Sequence, residues 1–342
     1  MFKIFITDRI LRRIVDSELQ MGERHRSLLI KLLQQQKNVY VSSSDATNLK
    51  DIEAKTKIHV NTKMSSYIAG IAEHPETVLQ QPSSVFILDI PIVEAERIQK
   101  SYGVLCMSGD AINIMPLIDV NDVYISNERK PLGRGWDTVL DTVETLPSNA
   151  LLLTDRYLFA FRRPNAGDGL ANIRDILDEL LPQRFLGGDY HVTVIFDDMK
   201  KHKSYTFDEI ATKLNHIKTQ LGRDYPIMME VLGITPNCHI YEKLHNRLIV
   251  SNYYLVEAAH KLAAFNEDKA TARQMLLPLA LYTESSLNDT STPPLKAIDQ
   301  TLSTLRDFST SLSTLNDHSI YRYAVNGQHI EMCGGIRNRL IK

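Results

Sequence analysis

Cysteine is scarce in this sequence, as are the features that would assign the chain to a specialised class. The 342 residues include three cysteines, Cys106, Cys238 and Cys333, far apart and without a CxxC or Cys/His spacing. This pattern predicts neither a disulfide framework nor a structural zinc site, and it favours a reduced, cytoplasmic protein. No apolar run approaches the roughly 18 residues of a membrane helix, and the first residues do not resemble a secretory signal.

Charge of one sign is also lacking, and so are several catalytic motifs. Lys and Arg total 39 against 41 Asp and Glu, so the net charge of −2 excludes a chain that is polybasic throughout. Glycine and proline are too few for a collagen-like or disordered chain. No GxxxxGK[ST], strand-following GxGxxG, GxSxG or HExxH occurs, so nucleotide hydrolases, dehydrogenases, serine hydrolases and zincins have no support.

What the sequence contains is an alternation of β-branched runs and amphipathic segments, which is typical of α/β proteins. It predicts two α/β domains, each a mostly parallel or mixed sheet flanked by helices, covering residues 1–146 and 147–342. Amphipathic patterns predict a helix over 207–221, with Thr206 as its candidate N-cap, and a long helix over 293–315 near the end. The predicted strands are 2–7, 38–43, 83–89, 104–108, 150–155, 190–198, 227–234 and part of 245–260.

A short repeat links the two predicted domains. The segments FITDRIL (5–11) and LLTDRYL (152–158) both carry Thr-Asp-Arg at the end of a predicted strand. An internal duplication and a coincidence both remain open, because an acid after a strand is a common helix cap.

Acidic residues follow the predicted strands of the first domain, where parallel sheets bind ligands. Asp8 and Asp89, with Asp110 after the next strand, could hold Mg²⁺ for phosphodiester cleavage by metal-activated water. The order of strands, acids and helices is loosely similar to PIN-domain ribonucleases, for whose middle acid Asp45 and Glu53 are the candidates. The structural alternative is that these acids cap helices.

In the second domain, His245 and Arg247 lie two residues apart on a predicted strand and therefore point to the same side of the sheet. Asn252, five residues further, could close a phosphate site around them. The structural alternative is that they are polar groups at a sheet edge.

This spacing resembles the HxKxxxxD motif of the phospholipase D superfamily, with Arg247 in place of lysine and Asn252 in place of aspartate. The run LHNRLIVSNYYLVEAAHKL resembles the divergent phospholipase D-like domain at the C-terminus of a eukaryotic MIT-domain protein, over residues 147–342 at most. That resemblance implies a binding module. In active members of the superfamily the histidine attacks phosphorus and a second motif supplies the acid, so cleavage here would need a homodimer.

These observations predict a degenerate, non-catalytic subunit that engages nucleic acid or a partner protein. Arginine can hold a phosphate, whereas Asn252 lacks the carboxylate's charge. Lys200, Lys201 and Lys203 could contact a polyanion or simply form a solvated loop. Bacterial phospholipase D-like domains imply, by analogy, a role in defence or mobile-element systems. The alternative function is a nuclease that acts through His245 or through Mg²⁺ at Asp8 and Asp89; no other cofactor is expected. Phosphoinositide binding at a membrane surface, as the eukaryotic relative implies, is the weakest alternative.

Overall fold

The chain divides into two compact units, Met1–Asn121 with Leu277–Asp299, and Asp122–Leu276 with Gln300–Lys342. The sequence instead predicts a single domain boundary near residue 147. The predicted and observed divisions differ in their assignment of residues 115–145 and 277–300, which lie outside the described part. The computed structural model describes residues 3–36, 39–43, 46–114, 146–155, 158–159, 169–197, 205–236, 247–258, 272–276, 303, 320–326, 329–332 and 336–341.

The described part of the first unit alternates strands and helices, as the sequence predicts. Four elements between residues 46 and 80, two α-helices, a two-residue strand and a 3₁₀ helix, were not predicted from the sequence. Its elements are β1 (Lys3–Thr7), α1 (Asp8–Val15), α2 (Glu23–Gln35), β2 (Val39–Ser42), α3 (Ala46–Thr56), β3 (Val60–Asn61), α4 (Ser65–Gly70), a 3₁₀ helix (Pro75–Gln80), β4 (Ser84–Leu88), α5 (Ile92–Tyr102) and β5 (Leu105–Ser108).

These five strands form one parallel sheet in the order β3-β2-β1-β4-β5. Strands β1 and β4 are apolar on both faces because helices cover a parallel sheet from both sides. Phe5 stacks on Phe86 at 5.0 Å and on Tyr40 at 5.2 Å between ring centroids. The α5 helix ends at Gly103, whose left-handed conformation (φ 62°) turns the chain into β5.

The second unit combines a parallel centre with antiparallel margins. The predicted helix over 293–315 lies, apart from Ser303, outside the described residues. The described elements are β6 (Ala150–Thr154), α6 (Gly169–Leu180), β7 (Tyr190–Asp197), α7 (Phe207–Gln220), β8 (Ile227–Ile234), β9 (Arg247–Ser251), β10 (Leu255–Ala258), β11 (Ala272–Leu276), β12 (Ile320–Asn326), β13 (His329–Met332) and a 3₁₀ helix (Arg339–Ile341).

The eight strands follow the order β11-β10-β9-β6-β7-β8-β12-β13. Strands β6, β7 and β8 run parallel, whereas β9 and β12 pair antiparallel at either side of them. Thr206 caps α7 as predicted, and it does so in a capping box with Glu209. The α/β architecture with two sheets is therefore confirmed. Within the described residues, no helix is both long and apolar enough to cross a membrane.

Candidate functional site

At the carboxyl edge of the first unit's sheet, Asp8 and Asp89 follow the ends of two neighbouring parallel strands. Strands β1 and β4 are neighbours, and the chain continues from β1 to β2 on one side and from β4 to β5 on the other. This reversal creates a switch point between β1 and β4, where ligands bind in open α/β sheets. Ile6 pairs with Ile87, and Asp8 and Asp89 each directly follow the last residue of these two paired strands. The two predicted acids thus occupy neighbouring strand ends.

Each acid at this edge contacts an arginine of α1. Arg12 grips Asp8 through Nε and Nη2, both at 3.1 Å. The Nη1 of Arg9 lies 3.0 Å from Asp89, and that of Arg13 lies 2.9 Å from Asp110. Three guanidinium groups from one helix therefore balance three carboxylates that follow three different strands.

The three ion pairs between α1 arginines and these acids affect whether Mg²⁺ could bind here, as the sequence predicts. A divalent cation at Asp8 and Asp89 would compete with guanidinium groups that already neutralise them. Within the described ranges, no group of three or more His, Cys, Asp or Glu side chains is arranged to hold a metal ion. Glu53, one candidate for a middle acid, accepts a hydrogen bond from the Val60 backbone at 2.9 Å instead. Asp45 lies outside the described residues. The Mg²⁺ site remains a prediction.

The position of Asp8 affects whether the N-terminus of α1 can bind a phosphate. Asp8 is the first residue of α1, where its carboxylate is favourable next to the positive end of the helix dipole. In dinucleotide-binding proteins a ligand's phosphate occupies the equivalent position after the first strand. A carboxylate there repels a phosphate, so this helix end is unsuited to binding one.

In the second unit, Arg247 lies at the carboxyl end of β6. Thr154 pairs with Leu248 in the antiparallel ladder, which places Asp155 opposite Arg247. The Nε of Arg247 lies 3.4 Å from Asp155 Oδ1, and both side chains are largely buried, at 14% and 5% exposure. Thr154 Oγ1 also accepts a hydrogen bond from the Leu248 backbone at 3.0 Å. This ion pair spans the boundary between the parallel and antiparallel strands.

Asn252 does not lie near Arg247. The two residues are at opposite ends of β9, about 17 Å apart at the usual rise of a strand. Asn252 Oδ1 accepts from the Asn149 and Ala150 backbone at 2.9 and 3.4 Å, and its Nδ2 donates to Asn149 Oδ1 at 2.9 Å. These bonds tie the β9–β10 turn to the start of β6, so the side chain acts there as a structural anchor.

The other predicted site residues fall outside the described part of the chain. These are His245, Lys200, Lys201 and Lys203. The strands that border these residues in the sequence are described, however. The β7 strand ends at Asp197 on the same edge as Asp155, and β9 begins at Arg247.

A buried polar network, missed by the sequence analysis, crosses the second sheet. Glu230 of β8 accepts hydrogen bonds from Thr193 Oγ1 at 2.7 Å and from the backbone of Arg337 and Asn338 at 3.0 and 3.2 Å. Burial raises the pKa of Glu230, against the lowering effect of these bonds. The available signal was an acid inside the apolar run IMMEVLGI. The network holds residues 336–341 against the sheet.

Comparison with known proteins adds no assignment. A scan against models of protein families finds no matching family, and a search of curated proteins finds no similar sequence. The resemblances to the phospholipase D superfamily and to PIN domains therefore remain predictions.

Proposed function

We propose that the protein is a non-catalytic subunit that binds nucleic acid through the carboxyl edge of its second unit. The observation that carries this proposal is the Arg247–Asp155 pair at the junction of β9 and β6. In open sheets that contain parallel strands, ligands approach at the carboxyl ends of those strands. A cytoplasmic location and a degenerate phospholipase D-like fold belong to the same proposal. Binding of this kind does not require a homodimer, whereas cleavage through His245 would.

The ion pair supports phosphate binding by orienting the guanidinium group. Asp155 Oδ1 lies 3.4 Å from Nε of Arg247, and the charge of the carboxylate favours orientations in which the Nε side of the guanidinium group faces it before a ligand arrives. A pre-oriented guanidinium loses less side-chain entropy per hydrogen bond and matches the geometry of phosphate oxygens.

Because Asp155 balances the charge of Arg247, further cations are needed to attract a polyanion. Lys200, Lys201 and Lys203 follow Asp197, the last residue of β7, by three to six positions in the sequence. His245 precedes Arg247 by two residues. These residues supply the long-range attraction in the proposal, and Arg247 supplies the oriented contact.

Fluorescence anisotropy of labelled single-stranded DNA and RNA between 50 and 300 mM NaCl tests this proposal. We expect Arg247→Lys to weaken binding about tenfold, because the charge stays and the fork is lost. Replacing the three lysines with alanine lowers the log–log salt slope by about 2, at roughly 0.7 per phosphate contact on a single strand. Arg174→Lys is the matched control, since Arg174 pairs with its neighbour Asp175 on α6.

Unchanged binding by Arg247→Lys would contradict the proposal. So would the absence of nucleic-acid binding at 50 mM NaCl, a result that favours a partner protein as the ligand. Thermal unfolding of each variant separates lost binding from lost structure, because Arg247 neutralises a buried carboxylate.

A metal-dependent nuclease is the second candidate, and the position of Asp8 and Asp89 after the ends of two neighbouring parallel strands favours it. Mg²⁺ commonly binds through one or two carboxylates and completes its shell with water and substrate phosphates. We expect cleavage of labelled RNA or DNA that EDTA abolishes and that Asp89→Asn reduces at least about a hundredfold. Asp51→Asn on α3 is the control. Cleavage that resists EDTA and disappears in His245→Ala would instead indicate phospholipase D-like chemistry in a homodimer.

A further inference from the structure

Residues 336–341 are attached to the second sheet through the backbone amides of three consecutive residues, 337–339. Glu230 of β8 accepts hydrogen bonds from the first two amides, and Nδ1 of His191 on β7 accepts from that of Arg339 at 3.2 Å. Both acceptors are buried side chains that gain a proton between neutral and acid pH. The attachment of the segment therefore depends on their protonation.

The bond to Nδ1 determines which form of His191 the attached segment accepts. Nδ1 receives the Arg339 amide only while it has no proton of its own, so we assign the proton of the neutral ring to Nε2. Nη2 of Arg339 lies 3.5 Å from Nε2. A second proton on the ring would set two donors against each other at Nδ1 and place a cation next to the guanidinium group. The attached segment therefore disfavours a charged imidazole.

The guanidinium group of Arg339 is held in place beside this ring. Its Nη1 donates to the Asn149 carbonyl at 3.3 Å, and its Nη2 donates to the Asp189 carbonyl at 2.8 Å. Its Cζ lies 5.7 Å from the centroid of the Phe185 ring. Burial lowers the pKa of Arg339 because the charge is poorly solvated here, although an arginine stays protonated at any pH near neutral. A second positive charge next to it is thus unfavourable.

Other charged groups pack near the ring, and one of them responds to acid in the opposite direction. The carboxylate of Asp189, just before β7, attracts both Arg339 and Lys218 of α7. Glu230 lies on the same face of the sheet as His191, diagonal to it in the ladder between β7 and β8. Burial raises the pKa of Glu230, so acid favours attachment through Glu230 and disfavours it through His191.

From this geometry we propose that protonation of His191 releases residues 336–341 from the second sheet. A free imidazole titrates at about pH 6.5, so the stabilisation from this contact is complete above that pH and is lost as the pH falls below it. Strand β7 keeps its ladders to β6 and β8, so the release is local. It exposes the buried apolar side chains of Ile336, Leu340 and Ile341. This role is separate from the proposed binding of nucleic acid and involves none of its residues.

Hydrogen exchange of the full chain, followed by mass spectrometry at pH 7.5 and 5.5 and corrected for the intrinsic exchange rates, tests this proposal. His191→Asn is the variant that does not titrate, because an amide oxygen on Cγ can replace Nδ1 as the acceptor. We compare protection of the segment in the original protein with that in the variant. The ratio should fall about tenfold between the two pH values, as expected for a ring that is neutral when the segment is attached and titrates at about pH 6.5 when it is released. The effect of Glu230 is common to both proteins and cancels in the ratio.

The matched control is His216→Asn on the exposed side of α7, which we expect to behave like the original protein. A ratio that does not change with pH would overturn the proposal. So would an equal loss of protection in peptides from β7 and β8, because acid would then unfold the sheet rather than release the segment.

If thermal unfolding shows that His191→Asn is not folded, nitrogen NMR of the histidine rings in the original protein carries the test. We expect His191 to have its proton on Nε2 at pH 7.5 and to become charged at a lower pH than the exposed His216. Titration of both rings at the same pH would contradict the proposal.

Discussion

The main chain passes very close to α1 at Gly109. A Cβ built at this position would lie 2.0 Å from Cδ1 and 2.5 Å from Cγ1 of Ile10. Gly109 lies between Ser108, the last residue of β5, and Asp110, the partner of Arg13. The absence of a side chain here lets the strand end approach the helix that supplies the arginines.

We predict that Gly109→Ala destabilises the first unit by about 1–3 kcal/mol, because the added methyl group overpacks a filled site. Urea unfolding measures the change. Gly70→Ala is the control, since a Cβ there meets nothing within 4 Å. If the Gly109 variant and the original protein are equally stable, the Ile10 side chain moves aside without an energetic cost and the prediction is wrong.

At the scale of single residues, the sequence predicted the acids at the strand ends but not the arginines that pair with them. Asp8 and Asp89 follow apolar runs, and that local signal is enough to place them at strand ends. The sequence shows Arg9, Arg12 and Arg13 only as charges on a helix. Their assignment to particular acids depends on the strand order, since Asp89 and Asp110 are 80 and 97 residues away from Arg9 and Arg13.

Among the single elements, β8 contains the least expected residue. Glu230 is 3% exposed in the middle of an apolar strand. Burial raises its pKa even though Thr193, Arg337 and Asn338 donate to the carboxylate. An acid whose pKa is raised on folding adds stability below its unfolded pKa, and that contribution is lost as the pH rises through the folded value.

We therefore predict that Glu230→Gln flattens the pH dependence of stability above about pH 4.5. The original protein should lose stability from this group as the pH rises, and the variant should lack that component. Urea unfolding at several pH values between 4.5 and 8 measures it. Glu179→Gln on the exposed side of α6 is the comparison, and identical slopes for both variants would contradict the argument.

Helices with a clear amphipathic pattern and a cap were predicted well. The division of residues 245–260 into two paired strands was not predicted. The stripe and cap of α7 are encoded within 15 residues, so the helix and its N-cap Thr206 were both identified. Residues 245–260 have the period of a strand, but the structure makes two strands, β9 and β10, with a turn in which Ser251 donates to Tyr254 at 2.9 Å. The turn depends on buried bonds from Asn252 to Asn149, a contact across 103 residues.

On the scale of the whole molecule, the two Thr-Asp-Arg segments end strands with different surroundings. Strand β1 has parallel neighbours on both sides, whereas β6 has β7 parallel and β9 antiparallel. The shared motif therefore occurs in two different sheet topologies.

The last described segment links three strands of the second sheet. Asn338 is buried; its Nδ2 donates to Leu151 O at 2.9 Å and to Thr193 Oγ1 at 3.0 Å. Its backbone donates to Glu230 at 3.2 Å, and its Oδ1 accepts from the Leu340 backbone at 3.0 Å. One side chain thus connects β6 and β7 to the segment that β8 anchors.

We predict that Asn338→Ala lowers the free energy of unfolding by about 2–4 kcal/mol, because it leaves buried polar groups without their partner. Urea unfolding measures the loss. Asn215→Ala on α7 serves as the comparison, since the structure gives its side chain no such buried role. A loss below about 1 kcal/mol would mean that the segment contributes little to stability.

By itself, the sequence determined the α/β class, the main strands and helices, and the acids at strand ends, because these depend on periodicity and caps within a few residues. Tertiary structure alone decided the sheet orders, the pairing of arginines with acids, the separation of Asn252 from Arg247, and the burial of Glu230 beneath residues 336–341. Each of these depends on contacts between residues distant in the chain, and local patterns contain no record of which distant segments meet.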